Sequence, residues 1–123
     1  MADLVELRDL LRDFNAERDW EKFHSPRNLL LALTGEVGEL AASVQWVPDS
    51  DVVAALAEAP LRDEFSEELA DCLIYLVQIA DVIGIDLEAV TKAKVAKNAL
   101  KYPADLAKGR STKYTQLIAG EES

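Results

Sequence analysis

The sequence is poor in the residues that build several classes of protein. A single cysteine, Cys72, stands in 123 residues, so no internal disulfide and no cysteine metal cluster is available, and a reducing compartment is expected. Five glycines, with no Asn-Gly or Asp-Gly pair, leave little from which hairpins could be made. Positive charge is scarce too: 13 Lys and Arg against 23 Asp and Glu give a net charge of −10. That balance excludes sequence-independent binding to nucleic acid or an anionic membrane, both of which need a positive footprint. No apolar run nears the ~20 residues of a membrane span. The opening MADLVELRDL lacks the basic start and apolar block of a secretory signal. A soluble, cytoplasmic protein is therefore expected, and the hydrophobic share of 50% suffices for one globular domain over 1–123.

What is present reads as helices separated by short breakers. Leu4, Leu7, Leu10, Leu11 and Phe14 recur at spacings of three and four, with charged residues between them, which predicts an amphipathic first helix. The stretch 18–25 breaks the period and ends in Ser25-Pro26, an N-cap followed by proline at the first helical position. A second helix, apolar on nearly every side, is expected to run to about Trp46. Pro48 to Asp51 interrupt, and VVAALAEA offers a short helical stretch before Pro60. A third helix is predicted from about Leu61 to Ile83, with Phe65, Leu69, Cys72, Leu73, Leu76, Ile79, Ala80 and Ile83 as its core stripe and Gly84 as its stop. Asp86 caps a fourth, LEAVTKAKVAKNALKY, closed by Pro103, and about 104–123 reads as a polar tail carrying Lys108, Arg110 and Lys113. The expected fold is all-α, a four-helix bundle-like protomer. Its long helices are too apolar for one small chain to cover, so a dimer or tetramer is expected.

Four carboxylates sit where such a bundle would favour leucines. Glu36 and Glu39 share a helix face, as do Glu68 and Asp71, each pair being three residues apart. The spacing alone is unspecific, because Asp3/Glu6, Glu6/Asp9 and Glu64/Glu67 have it as well and read as solvated surface. Context separates them: Glu36 lies on the face of Leu29, Ala32, Leu33 and Leu40, and Asp71 shares its turn with Ile74 and Tyr75. Burying several carboxylates together costs several kcal/mol in desolvation and repulsion unless a cation offsets it. Oxygen ligands without His or Cys suit Mg²⁺, with Mn²⁺ as a substitute, held by carboxylates, waters and substrate phosphates. A di-iron bundle would need Glu-x-x-His motifs, and the sole histidine, His24, lies between helices. The competing reading is two solvated acidic faces, and on residues alone the two stand level.

Two further features bear on a phosphate-bearing ligand. Lys94, Asn98 and Lys101 or Tyr102 form a basic-polar stripe on the fourth helix, readable as a solvated face or as a clamp for phosphate oxygens. Trp20, Phe23 and His24 precede the second helix and Trp46 marks its far end. Such aromatics are more often core filler, but they can also stack on a nucleobase.

The segments ERDWEKFHSPRNLLLALTGEVGELAASVQW (17–46), EELADCLIYLVQIADVIGIDL (67–87) and KAKVAKNALKYP (92–103) resemble the all-α nucleoside triphosphate pyrophosphohydrolases of the MazG-like superfamily, most closely its dCTP pyrophosphatase branch. The resemblance covers about residues 4–118. It implies hydrolysis of dCTP or a modified (d)CTP to monophosphate and pyrophosphate. It implies Mg²⁺ on Glu36, Glu39, Glu68 and Asp71, with Glu36 or Glu39 orienting the attacking water. It implies substrate contacts from Lys94, Asn98 and Tyr102 to phosphate or sugar, with Tyr75 beside them, and from Trp20, Phe23, His24 and Trp46 to the base, in a dimer or tetramer. One departure is Leu11, where vertebrate members of that branch carry histidine, which leaves dUTP or an oxidised purine as alternative substrates. A non-catalytic helical interaction module is the rival outside enzymes.

Overall fold

The computed structural model describes residues 3–109, and the expected tail residues Arg110 and Lys113 lie outside that range. The described residues are helical, with no strand among them. They form α1 (Leu4–Glu17), α2 (Pro26–Val44), α3 (Val52–Ala55), α4 (Leu61–Ile83), α5 (Leu87–Lys101) and α6 (Ala104–Ala107), with single 3-10 turns at Glu21–Phe23 and Asp49–Asp51. The chain divides into two compact units, one up to Ile85 and one from Asp86 onward.

Local chemistry sets the helix ends. The Asp3 carboxylate accepts from the Glu6 N–H at 2.9 Å, the Ser25 hydroxyl oxygen from the Asn28 N–H at 3.1 Å and the Asp86 carboxylate from the Ala89 N–H at 3.0 Å. Each satisfies one of the donors a helix start leaves open. Pro26 begins α2, where its missing N–H costs nothing. Gly84 stops α4 at φ 74°, and the Ile85 N–H returns to the Ala80 carbonyl at 2.8 Å. The end of α1 closes in the same way on a non-glycine residue, Asp19 at φ 53°, with the Trp20 N–H donating to the Asn15 carbonyl at 3.0 Å.

In the first unit α2 packs along α4, and α1 packs on α4 as well. Leu29, Val77 and Ala80 are its buried apolar residues. The Arg12 guanidinium donates to both carboxylate oxygens of Asp81, at 2.9 and 2.5 Å, and ties α1 to the last turn of α4. A bidentate ion pair of this kind fixes orientation as well as contact.

Three expectations need correction. The α4 stripe is only partly interior: Ala80 is buried and Phe65, Cys72 and Ile79 half-buried, but Leu69, Leu73 and Leu76 are 51%, 41% and 45% exposed and Ile83 is exposed too. Two packed helices cover only part of a four-sided apolar rod. α2 ends at Val44 in a turn closed by the Val47 N–H on the Val44 carbonyl, short of Trp46. The short helical stretch expected before Pro60 is present as the single turn of α3, preceded by the 3-10 turn. The start of the polar tail is itself helical, as α6.

Candidate active site

Glu36 and Glu39 project from α2 and Glu68 from α4, and one oxygen of each lies within 4.8 Å of the other two. The i, i+3 spacing places the two α2 carboxylates on one face, and the packing of α4 on α2 delivers Glu68 to it. Glu39 is exposed, whereas Glu36 and Glu68 are half-buried, and the Oε2 atoms of Glu36 and Glu68 are buried with no hydrogen-bond partner. Unpaired buried carboxylate oxygens are costly, and facing one another they repel. The Glu68 carboxyl is accordingly pushed up to about 7, first because Glu36 can share its proton, then by burial, then by Glu39 and the charge of both neighbours.

These orphaned oxygens are what a divalent cation would satisfy. An all-oxygen set with no nitrogen or sulfur suits a hard ion, so the residues present fit the expected metal. Asp71 stands one turn beyond Glu68 and is not one of the three that converge. Its charge is felt next to them. Tyr75 is raised by burial and by Glu36 and Asp71, and the Cys72 thiol by burial and by Glu36, Glu68 and Asp71. Both therefore stay protonated and uncharged at neutral pH.

Farther along α4 the first unit contains a cavity of about 380 Å³. Leu11, Ala16, Val77 and Val82 give it apolar wall, Asn15 and Gln78 neutral polar groups, and His24 closes one side. The Arg12–Asp81 pair also lines it. The Arg12 hydrogen bonds hold the Asp81 carboxyl below its usual range, and Asp81 raises Arg12 in return.

The expected base-binding aromatics are only partly brought together. Trp20, Phe23 and His24 gather where α1 gives way to α2, held by the Asn28 side-chain amide donating to the Phe23 carbonyl at 3.0 Å. Trp20 packs edge-to-face on Phe14, centroids 5.6 Å apart, and Arg18 lies 3.7 Å over the same Phe14 ring. Trp46 is 88% exposed beyond the opposite end of α2. Nineteen helical residues at 1.5 Å rise put about 28 Å between those ends, so Trp46 cannot enclose one base with the other three within a single chain. In the second unit Lys94 and Asn98 are exposed on α5, and the Tyr102 N–H donates to the Asn98 carbonyl at 2.8 Å.

Asn15 and Gln78 were not among the expected site residues. Gln78 stands alone as an uncharged polar residue in LIYLVQIA, and that isolation was the signal. Asn15 follows Phe14 near the end of a charged helix and carries no comparable mark.

The MazG-like family matches residues 32–117. The chain is 47% identical over 120 residues to dCTP pyrophosphatase 1 of Bos taurus, covering 98% of this chain and 71% of that protein. It is 48% identical over 117 residues to dCTP pyrophosphatase 1 of Homo sapiens, covering 95% and 69%. Among solved structures, a pyrophosphatase from Archaeoglobus fulgidus is 40% identical and superposes with a TM-score of 0.75 over 84% of this chain and 94% of its own. A two-helix carboxylate trio on an all-α scaffold is thus joined to matching sequence, and the chain belongs to the MazG-like family.

Proposed function

We propose that the protein is a nucleoside triphosphate pyrophosphohydrolase that converts dCTP or a modified (d)CTP to the monophosphate and pyrophosphate. The observation that carries this reading is the pair of buried, unpartnered oxygens of Glu36 and Glu68 beside Glu39. The dCTP pyrophosphatase 1 relatives support the substrate. Mg²⁺ is the proposed ion, on Glu36, Glu39 and Glu68 with Asp71 as a further ligand, and when bound it would supply charge neutralisation for the triphosphate.

The chain's own groups account for the rest. Glu39, the carboxylate of the trio that solvent reaches, takes a proton from the attacking water. The oxygen of that water bonds to the α-phosphorus as the link between the α- and β-phosphates breaks, the bridging oxygen leaving with pyrophosphate and the water oxygen staying on the monophosphate. Lys94, Asn98 and Tyr102 are assigned to phosphate and sugar oxygens, with Tyr75 next to the trio as an uncharged donor. Trp20, Phe23 and His24 are assigned to the base, and Trp46 to a base held by a neighbouring subunit. The family match at 32–117 includes residues on both sides of Ile85, which supports reading the whole stretch as one family sequence. A homodimer or homotetramer in the cytoplasm completes the reading.

The test is a panel of ribo- and deoxynucleoside triphosphates with Mg²⁺, reading pyrophosphate against phosphate. Pyrophosphate from dCTP, abolished by EDTA, is the expected result. Faster release from dUTP or an oxidised purine would reassign the base, and no pyrophosphate from any of them would leave a helical interaction module.

A further inference from the structure

Asn15 and Gln78 are 7% and 8% exposed, line the cavity of about 380 Å³, and their side-chain amides hydrogen-bond no described residue. Among the described residues the buried side-chain polar atoms left without any partner are oxygens of Glu36 and Glu68, so the two amides, on otherwise buried residues, direct their polar atoms to the cavity space. A ligand there would take the hydrogen bonds that solvent otherwise makes. The remaining wall restricts its chemistry. Leu11, Val77 and Val82 offer flat apolar contact; of the charged groups in the lining, Arg12 and Asp81 are spent on each other and Arg8 on Asp9, while Asp13 and Glu21 leave the wall acidic. An uncharged planar group with donors and acceptors on one edge fits this wall, and a phosphate does not.

The cavity is placed in line with the acidic trio. Glu68, Asp71, Tyr75 and Gln78 follow one another at spacings of three, four and three along α4, so they share one face. Ten residues at 1.5 Å rise separate Glu68 from Gln78 by about 15 Å, a span an extended nucleoside triphosphate bridges with its phosphates at one end and its base at the other.

We infer that Asn15 and Gln78 are the specificity-determining residues for the base, reading its hydrogen-bonding edge inside this cavity. The inference rests on the proposed hydrolysis of a nucleoside triphosphate and adds to it what distinguishes one base from another. For cytosine, one amide accepts from the exocyclic amino group and donates to the adjacent ring nitrogen, while the other donates to the ring carbonyl. A base with the wrong pattern leaves the amides unpaired, and a site built on hydrogen bonds rejects such analogues far more sharply than an apolar pocket does.

The experiment compares the full-length protein with Gln78→Met and Asn15→Leu, which keep side-chain bulk and remove the amide. kcat/KM is measured for dCTP, dUTP and dTTP, and binding of deoxycytidine monophosphate is measured by calorimetry without metal. Gln78→Glu and Asn15→Asp, which replace only the donor, take their place if circular dichroism shows either variant unfolded. Each substitution is expected to lower kcat/KM for the preferred base roughly 10–100-fold and to bring the ratios between bases toward one. Variants that keep the wild-type ratios within about twofold, with the wild type selective, overturn the assignment and leave the hydrolase reading intact. Wild-type protein that releases no pyrophosphate overturns that reading instead. Monophosphate binding then decides the amides separately: binding lost in the variants supports them, and binding unchanged or absent from the wild type overturns them.

Discussion

The Glu68 carboxyl, pushed up to about 7 from an ordinary 4.5, keeps its proton where an isolated glutamate has released it. Between those values the native protein binds more protons at Glu68 than the unfolded chain does, so the contribution of Glu68 to stability is fully present below about 4.5 and is lost as pH rises through 7. The metal-free protein is therefore expected to melt at a lower temperature at pH 8 than at pH 5. Asp81, depressed by Arg12, acts in the opposite sense and only in a more acidic window, losing its contribution as pH falls through its lowered value. A cation competes with the shared proton, so the rise in Tm produced by Mg²⁺ should be larger at pH 8. Glu68→Gln should flatten both trends. An unchanged pH slope in that variant would assign the effect to other groups. Turnover gives a second reading of the same residues: Glu39→Gln and Asp71→Asn should each abolish pyrophosphate release with helicity intact, and more than about a tenth of wild-type kcat/KM in both would sink those roles.

α1 and α4 end in the same closure on different residues, and this sets up a paired prediction for the elements. Asp19 and Gly84 both occupy the left-handed region, at φ 53° and 74°. That conformation costs an L-residue about 1–2 kcal/mol, somewhat less for Asp, and costs glycine nothing. Asp19→Gly should raise the urea midpoint by up to about 1 kcal/mol of stability, its exposed ion pair with Lys22 contributing little. Gly84→Ala should lower it by about the same amount, and a fall in both would mean the Asp19 side chain stabilises the turn. Much of this scaffold was legible beforehand. Ser25-Pro26, Gly84 and Asp86 mark real helix ends because caps act within four residues. Apolar neighbours separated Glu36 and Asp71, and with them their i, i+3 partners Glu39 and Glu68, from Glu64/Glu67, but did not show which three of the four converge. The Arg12–Asp81 tie spans 69 residues, and no local pattern encodes it. The burial of Asn15 and Gln78 likewise depends on which helix arrives opposite, whereas the separation of Trp46 from Trp20 was legible, because the two bracket a helix that runs unbroken between them.

Among the described residues the first unit leaves Leu69, Leu73 and Leu76 exposed at i, i+4 and i+7 on α4, and Leu30, Leu31 and Val37 exposed on α2. Six large apolar side chains on two packed helices are more than solvent-facing surface usually carries, and such patches mark association sites. A stable interface takes about 800 Å² from each partner, which the three leucines of one helix do not supply, so both helices must contribute. The acidic excess of −10 opposes association at long range, but its screening length is about 8 Å at physiological ionic strength, whereas apolar burial acts at contact. Light scattering should therefore give two or four times 13.5 kDa, with little change on adding salt. Leu69→Lys with Leu73→Lys should release the 13.5 kDa chain with its helicity retained, because neither side chain is interior to the unit. If Trp46 reaches its base across that interface, the dissociated variant should also lose kcat/KM at concentrations where the wild type is assembled, and Trp46→Ala should lose it without dissociating. A wild-type monomer, or a dissociated variant with full activity, would confine the whole site to one chain and leave Trp46 outside it.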